Sequence, residues 1–347
     1  MKIGNFEIGK GKTFIVAEMS ANHLQKFDIA VKILKKAKEV GADAVKLQTY
    51  TPDTMTIDCE KEYFKIKQGT IWDGRYLYNL YKEAYMPWEW QEKLKEIADD
   101  IGLILFSTPF DKSSADFLEK LDVPAYKIAS FEITDIPFIE HVARKGKPVI
   151  ISTGIATLSD IEEAVNACRR VGNDQIILLK CTSAYPAPIE EANLRTIPNM
   201  RETFNVMVGL SDHTLGITVP IAAVAMGAVM IEKHFTLDRS LGGPDAKFSL
   251  EPDEFMQMVK SVREVEKALG KITYELTEKQ KKGRELFSRS LFVVKDIKKG
   301  EKFTEENVRS IRPGYGLHPK YVKYVLGKKA TMDIERGTPL EWKHVGE

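Results

Sequence analysis

Two histidines end two successive apolar runs, GLSDH closing at His213 and VMIEKH closing at His234. If the runs are neighbouring strands, the imidazoles sit at equivalent heights and can share one divalent cation, with positions left open for water and substrate. Taken singly, each histidine reads first as a hydrogen-bonded packing residue; the pairing is what points to a metal. Lys46 in AVKLQ and Lys127 in AYKIAS lie in similar runs. Buried lysines are usually partnered, so membership of an ion pair is one reading of each. Set among the hydroxyls of Thr108, Ser130, Ser152, Ser183 and Ser211, the two ammonium groups also describe a pocket for a small, multiply charged anion. Phosphate plus carboxylate would suit it. Glu132, just beyond the fourth run, has the position of a general acid or base, or of a partner for Lys127 or a backbone amide. Glu18 ends the first run, where it suits orienting ligand hydroxyls or holding Lys46. His23, in SANH, reads as a supporting or structural residue, and His141, in a predicted helix, as solvated.

Placing these residues requires a scaffold that gathers strand ends. Short Val- and Ile-rich runs begin at Phe14, Ala44, Leu103, Ala125, Pro148, Gln175, Val206 and Val229. Amphipathic stretches at helical spacing separate them, among them 28–40, 87–101, 159–171 and 218–227. Eight strands alternating with helices over about 250 residues predict a (β/α)₈ TIM barrel, whose active site lies at the C-terminal strand ends. Period-two alternation puts Lys46 with Gln48, Ser211 with His213, and Glu232 with His234 on shared faces. The rival, a doubly wound open sheet, has fewer strands and often a glycine-rich fingerprint after the first, which FIVAEMSANH lacks.

The barrel is predicted over residues 1–270, with 252–269 as a closing helix and 271–284 as a linker. Residues 285–347 differ in kind, with KKGE-type turns and Pro and Gly punctuation, and predict a small β-rich domain. The segment 51–86, carrying Trp72 and several tyrosines, is expected to form a flap over the barrel mouth. Lys plus Arg number 51 and Asp plus Glu 50, so no broad field for nucleic acid or an anionic membrane exists, and neither partner is expected. Three scattered cysteines make neither a disulfide framework nor a zinc knuckle. No run approaches the roughly 20 apolar residues that span a bilayer. The N-terminus has no signal-peptide pattern, so a cytoplasmic protein with reduced thiols is expected.

At this point AEMSANH, KLQTYTPD, STPF, YKIASFE, STGIAT, KCTSAYP, GLSDHT, EKHFTLD, FSLEPDEF, SRSLFVVKDIKKGE and RPGYGLHP, in this order over essentially the whole chain, resemble the sialic acid synthases. Within that family KLQTYTPD, ASFE and IWDGRYLYNLYKEAYMPWEW look most like the branch making pseudaminic acid. The resemblance implies a barrel followed by an antifreeze-like (SAF) domain. It implies condensation of phosphoenolpyruvate with an open-chain acetamido sugar, here 2,4-diacetamido-2,4,6-trideoxy-L-altrose.

Carried over by position, His213 and His234 match metal ligands, with manganese expected and magnesium or cobalt as alternatives. Lys46, Thr108, Lys127, Ser130, Ser152 and Ser211 match phosphoenolpyruvate contacts, and Ser183 stands where relatives often have Asn. Gln48, Tyr185, Asp245, Phe287 and Arg312 match sugar-side positions, and Glu132 a proton-handling carboxylate. The family forms a domain-swapped homodimer in which the C-terminal domain reaches the partner's barrel. Ala246 departs from the family, since many relatives carry His there. Two alternatives stand beside this expectation: a sibling synthase making N-acetylneuraminate or legionaminate, and a non-catalytic, metal-dependent carbohydrate-binding protein.

Overall fold

Alternation along each strand determines which side chains fill a barrel and which meet its helices. In the computed structural model, which describes residues 1–67 and 69–347, the chain divides into two units, Met1–Gly270 and Lys271–Glu347. The first opens with a short antiparallel hairpin, β1 (Lys2–Ile3) and β2 (Phe6–Glu7). Eight parallel strands follow: β3 (Phe14–Glu18), β4 (Ala44–Thr49), β5 (Ile104–Pro109), β6 (Tyr126–Ile128), β7 (Val149–Ser152), β8 (Ile176–Cys181), β9 (Met207–Asp212) and β10 (Met230–His234). They close in sequence order, with β10 pairing β3, so the TIM barrel is complete.

The first inward positions are apolar. Phe14, Val16, Phe106, Ile150, Leu179 and Met230 share one fully buried cluster, joined by Ile3 and Ile8 beside the N-terminal hairpin. Two or four residues further along, the same inward rows turn polar: Glu18 after Val16, Lys46 after Ala44, Thr108 after Phe106, Ser152 after Ile150, and Glu232 after Met230. The dry layers beneath keep the polar layer fixed, each large buried apolar side chain contributing about 1.5–3 kcal/mol. The outward rows, such as Ile15, Ala17, Val45 and Leu47, pack with the helices in a second cluster.

Helix Phe27–Glu39 shows how the outer ring is encoded. It buries Ala30, Ile33, Leu34 and Ala37, the i, i+3, i+4, i+7 stripe of an amphipathic helix. The predicted closing helix is Pro252–Leu269, burying Phe255, Met258 and Val262. The segment 51–86 holds helix Pro52–Met55, capped by Thr51, and helix Leu77–Ala84, with a bridge between Lys65 and Tyr76.

In the second unit, residues 278–284 of the segment expected as a linker belong to helix Glu278–Phe287, whose N-terminus Thr277 caps. Beyond it, β11 (Ser290–Val293) and β12 (Val308–Ile311) pair antiparallel over a small core including Leu291, Val293, Phe303, Val325 and Leu340. No helix among the described residues is long and apolar enough to cross a membrane.

Candidate active site

The polar layer is a network of paired charges. Lys46 Nζ lies 2.6 Å from Glu18 Oε2 and 3.5 Å from Glu232 Oε1, and donates to Thr108 Oγ1 at 3.1 Å. Lys127 Nζ donates to both oxygens of Glu232 at 2.9 Å. Burial disfavours every charge here, but the two ammonium groups outweigh it at Glu232 and hold its carboxyl down at about 2. Burial wins at Lys127, whose ammonium falls below the usual lysine range, whereas Glu18 and Glu232 outweigh burial at Lys46 and raise it. Burial also raises Glu18. Both sequence readings of the lysines therefore meet: each is ion-paired, and both line the same cavity.

Gln48 extends this network to one side. Its amide donates to Glu18 Oε1 and to Ser20 Oγ, each at 2.9 Å, and Ser20 in turn donates to Asp245. Burial raises the Asp245 carboxyl. The chain Glu18–Gln48–Ser20–Asp245 is a continuous row of acceptors and donors suited to ligand hydroxyls.

His213 and His234 do converge, their ring centroids 5.3 Å apart. His213 Nδ1 is 2.9 Å from the Thr182 carbonyl, so Nδ1 carries the proton and Nε2 the lone pair of the neutral ring. The Cys181 thiol, 3.8 Å from the same nitrogen, and the Thr182 carbonyl outweigh burial and raise His213. Burial and its cationic neighbours push His234 well below the ordinary histidine range, and its buried Nδ1 has no hydrogen-bond partner. A neutral imidazole with an unpartnered buried nitrogen, facing a second ring whose Nε2 offers a lone pair when that ring is neutral, fits a divalent cation. No cluster of three or more His, Cys, Asp or Glu suited to a metal occurs among the described residues, so water and substrate would fill the other positions.

Glu132 closes the short helical turn Ser130–Glu132, just past β6. Burial raises its carboxyl to about 7, with Oε2 buried and unpartnered. Ser152 Oγ and Ser183 Oγ are likewise buried without partners, while Ser130 Oγ accepts from the Gly154 N–H at 3.1 Å. A Cβ at Gly154 would come within 2.1 Å of Ser183 Oγ and 2.7 Å of Ser130 Oγ, so glycine there lets the hydroxyls crowd together. Such orphaned polar atoms in one pocket call for a polar ligand.

These groups surround a cavity of about 450 Å³. Glu18, Lys46, Gln48, Lys127, Ser130, Glu132, Ser152, Ser183, Tyr185, Ser211, His213, His234 and Asp245 all line it. Thr108 lies behind the wall, bonded to Lys46. Residues from 51–86 line it as well, including Met55, Ile66, Trp72, Leu77 and Tyr81. Trp72 donates to the Pro244 carbonyl at 3.3 Å and its ring lies 5.4 Å from that of Tyr185, which stacks 4.4 Å from His213. Phe287 and Arg312 belong to the second unit, where Phe287 ends a helix and both are exposed. Ala246 is buried and is not part of the cavity wall.

Sequence reasoning gave no role to Glu232, which ties both lysines together, or to Ser20 and Cys181. Two buried lysines require counter-charges, and the carboxylate two residues before His234, on the same face, was the available signal. His141, expected to be solvated, instead pairs with Asp116 at 2.6 Å across neighbouring helices. His23 is buried, and burial lowers it to about 4, as befits a structural histidine.

A family model described as the NeuB family matches residues 33–274, and one described as the SAF domain matches residues 288–346. The pseudaminic acid synthase of Campylobacter jejuni is 51% identical over 341 residues, covering 98% of each chain. The pseudaminic acid synthase of Helicobacter pylori is 49% identical, covering 94% of this chain and 96% of its own. The crystal structure of N-acetylneuraminic acid synthetase from Leptospira borgpetersenii, at 33% identity, superimposes with a TM-score of 0.73 over 82% of this chain and 94% of its own. By family model, near-full-length identity and barrel architecture alike, this chain is a member of the NeuB family carrying a C-terminal SAF domain.

Proposed function

We propose that this protein is a pseudaminic acid synthase, condensing phosphoenolpyruvate with 2,4-diacetamido-2,4,6-trideoxy-L-altrose to give pseudaminic acid and phosphate. The observation that carries the chemistry is the meeting of two imidazoles, two ammonium groups and a carboxyl poised near neutrality in one cavity. Identity of 51% to a pseudaminic acid synthase, against 33% to an N-acetylneuraminic acid synthetase, supports the choice of sugar.

Lys46 and Lys127 bind the phosphate and carboxylate of phosphoenolpyruvate, assisted by Thr108, Ser130, Ser152, Ser183 and Ser211. Gln48, Tyr185 and Asp245 hold the open-chain sugar, so that carbon 3 of the enol phosphate faces the aldehyde carbon. Such positioning is worth on the order of 7–11 kcal/mol when both reactants are fully oriented. His213 and His234 would hold a divalent cation, manganese by preference, which when bound would supply Lewis-acid polarisation of the aldehyde. Carbon 3 bonds to the aldehyde carbon, whose oxygen takes a proton from solvent; Glu132 takes the proton of the water that adds to the cationic carbon 2, whose hydroxyl then gives up its proton as phosphate leaves by C–O cleavage. Phe287 and Arg312 of the partner subunit complete the sugar end in a domain-swapped homodimer. The enzyme works in the cytoplasm, where phosphoenolpyruvate is made.

Phosphate release from phosphoenolpyruvate and manganese, measured with each candidate sugar, tests the reading. The altrose derivative is expected to give the highest kcat/KM. A clear preference for N-acetylmannosamine or for a diacetamido mannose-type sugar would instead make the enzyme a neuraminate or legionaminate synthase. Binding of both ligands without phosphate release would mark a non-catalytic carbohydrate-binding protein.

A further inference from the structure

The backbone ladder between β9 and β10 pairs Leu210 with Ile231, Ser211 with Glu232 and Asp212 with Lys233, and ends there. His213 lies one residue beyond it. His234 takes its ladder partner, Glu18, from the opposite neighbour, β3. The β9–β10 ladder therefore sets the two imidazoles against each other only through their neighbours, Asp212 and Lys233.

What stands behind the two rings is a buried ion pair. Asp212 and Lys233 alternate with the inward residues and so face away from the cavity, where they are 3% and 0% exposed. Lys233 Nζ lies 2.5 Å from Asp212 Oδ2 and also donates to the Thr214 carbonyl. Asp212 accepts from the Thr214 N–H at 3.1 Å and from its hydroxyl at 3.0 Å. One ammonium thus grips the residues on both sides of His213, from the residue adjoining His234. On the β8 side His213 is already tied, through Nδ1 to the Thr182 carbonyl and through its own carbonyl to the Ala187 N–H at 2.9 Å.

We infer that Asp212 and Lys233 are positioning residues, a clamp that sets the spacing of His213 and His234 for the cation. The inference rests on the reading of those histidines as its ligands. Stability gives the pair little advantage over apolar side chains of similar volume, because burying both charges costs about as much as their attraction returns. Apolar side chains cannot, however, supply a directional link that spans residues 212–214. Outer groups that orient ligands in this way commonly govern metal affinity.

The test uses the full-length double variant Asp212→Asn/Lys233→Met, which leaves no unpaired buried charge. Mn²⁺ affinity is measured without substrates from the free-ion electron paramagnetic resonance signal, alongside the thermal midpoint. Wild type, His213→Ala and Thr49→Val serve as references; the last, on β4, loses buried bonds to Gln91 of helix Trp88–Asp100 and Ser107 of β5. The double variant is expected to bind Mn²⁺ about 10- to 100-fold more weakly than wild type, with Thr49→Val unchanged. Wild-type affinity in the double variant, or an equal loss in Thr49→Val, overturns the clamp while leaving the ligands in place. His213→Ala binding as tightly as wild type overturns the ligand reading and the clamp with it. Should the double variant not fold, Thr214→Val removes only the hydroxyl bond to Asp212 and loosens the link past His213 without unpairing a buried charge. Its affinity is then expected to fall about threefold or more, and an unchanged value overturns the clamp.

Discussion

Glu132 and Glu232 are carboxylates of one cavity held in opposite states by their surroundings. Glu232, between two ammonium groups, is ionised throughout the working range, whereas burial raises Glu132 to about 7. If Glu132 is the base for water addition, kcat/KM rises as pH increases through about 7, and Glu132→Gln abolishes that limb together with most turnover. The same shift bears on stability. Between the unfolded value of 4.5 and about 7, the folded carboxyl keeps a proton that the unfolded chain releases, so stability declines as pH rises through this window. Above it the accumulated cost is about 3 kcal/mol. Glu132→Gln is therefore expected to match wild type near pH 4.5 and to exceed it by up to about that amount at pH 8 in urea unfolding. A constant difference between the two pH values would contradict the burial argument. Glu232→Gln acts in the other direction, removing the carboxylate that keeps Lys127 charged. Phosphoenolpyruvate affinity is expected to fall by about tenfold or more at pH 8 and by less at pH 6, because lower pH favours the ammonium. Isothermal titration at both pH values checks this.

At the scale of elements, the eight strands were legible because each is a short apolar run, and the mouth residues because each run turns polar at its end. His213 and His234 could be paired from sequence since period two and strand adjacency leave them little freedom. The partners of Lys46 and Lys127 were less legible, because only closure of the barrel brings β4, two strands away, and β6, directly across, to a carboxylate of β10. The N-terminal hairpin went unforeseen, as two-residue strands leave almost no pattern. Helix Glu278–Phe287 was hidden in a polar segment: it buries no residue, so it lacks the apolar stripe that marks a helix. The segment 51–86 reaches the cavity as expected, through Trp72 and its neighbours. Trp72→Ala removes the ring beside Tyr185 and the bond to Pro244 while leaving the barrel core untouched. Sugar KM is expected to rise about tenfold with little change in the phosphoenolpyruvate KM, a split that steady-state kinetics resolves.

At the scale of the molecule, near-zero net charge means that an anionic substrate is recognised by local arrangement rather than by a field. The two lysines that would receive it are ion-paired with Glu18 and Glu232, so the ligand must exchange partners to bind. The barrel contributes this preorganised network and the flap its roof, and the NeuB and SAF matches cover most of the chain. The central claim is condensation with phosphate lost by C–O cleavage, and it is tested most directly with phosphoenolpyruvate labelled with oxygen-18 at the bridging position. With manganese and the altrose derivative, the label is predicted to appear in inorganic phosphate alongside a nine-carbon keto acid. Label retained in the keto acid, or no keto acid at all, would contradict it.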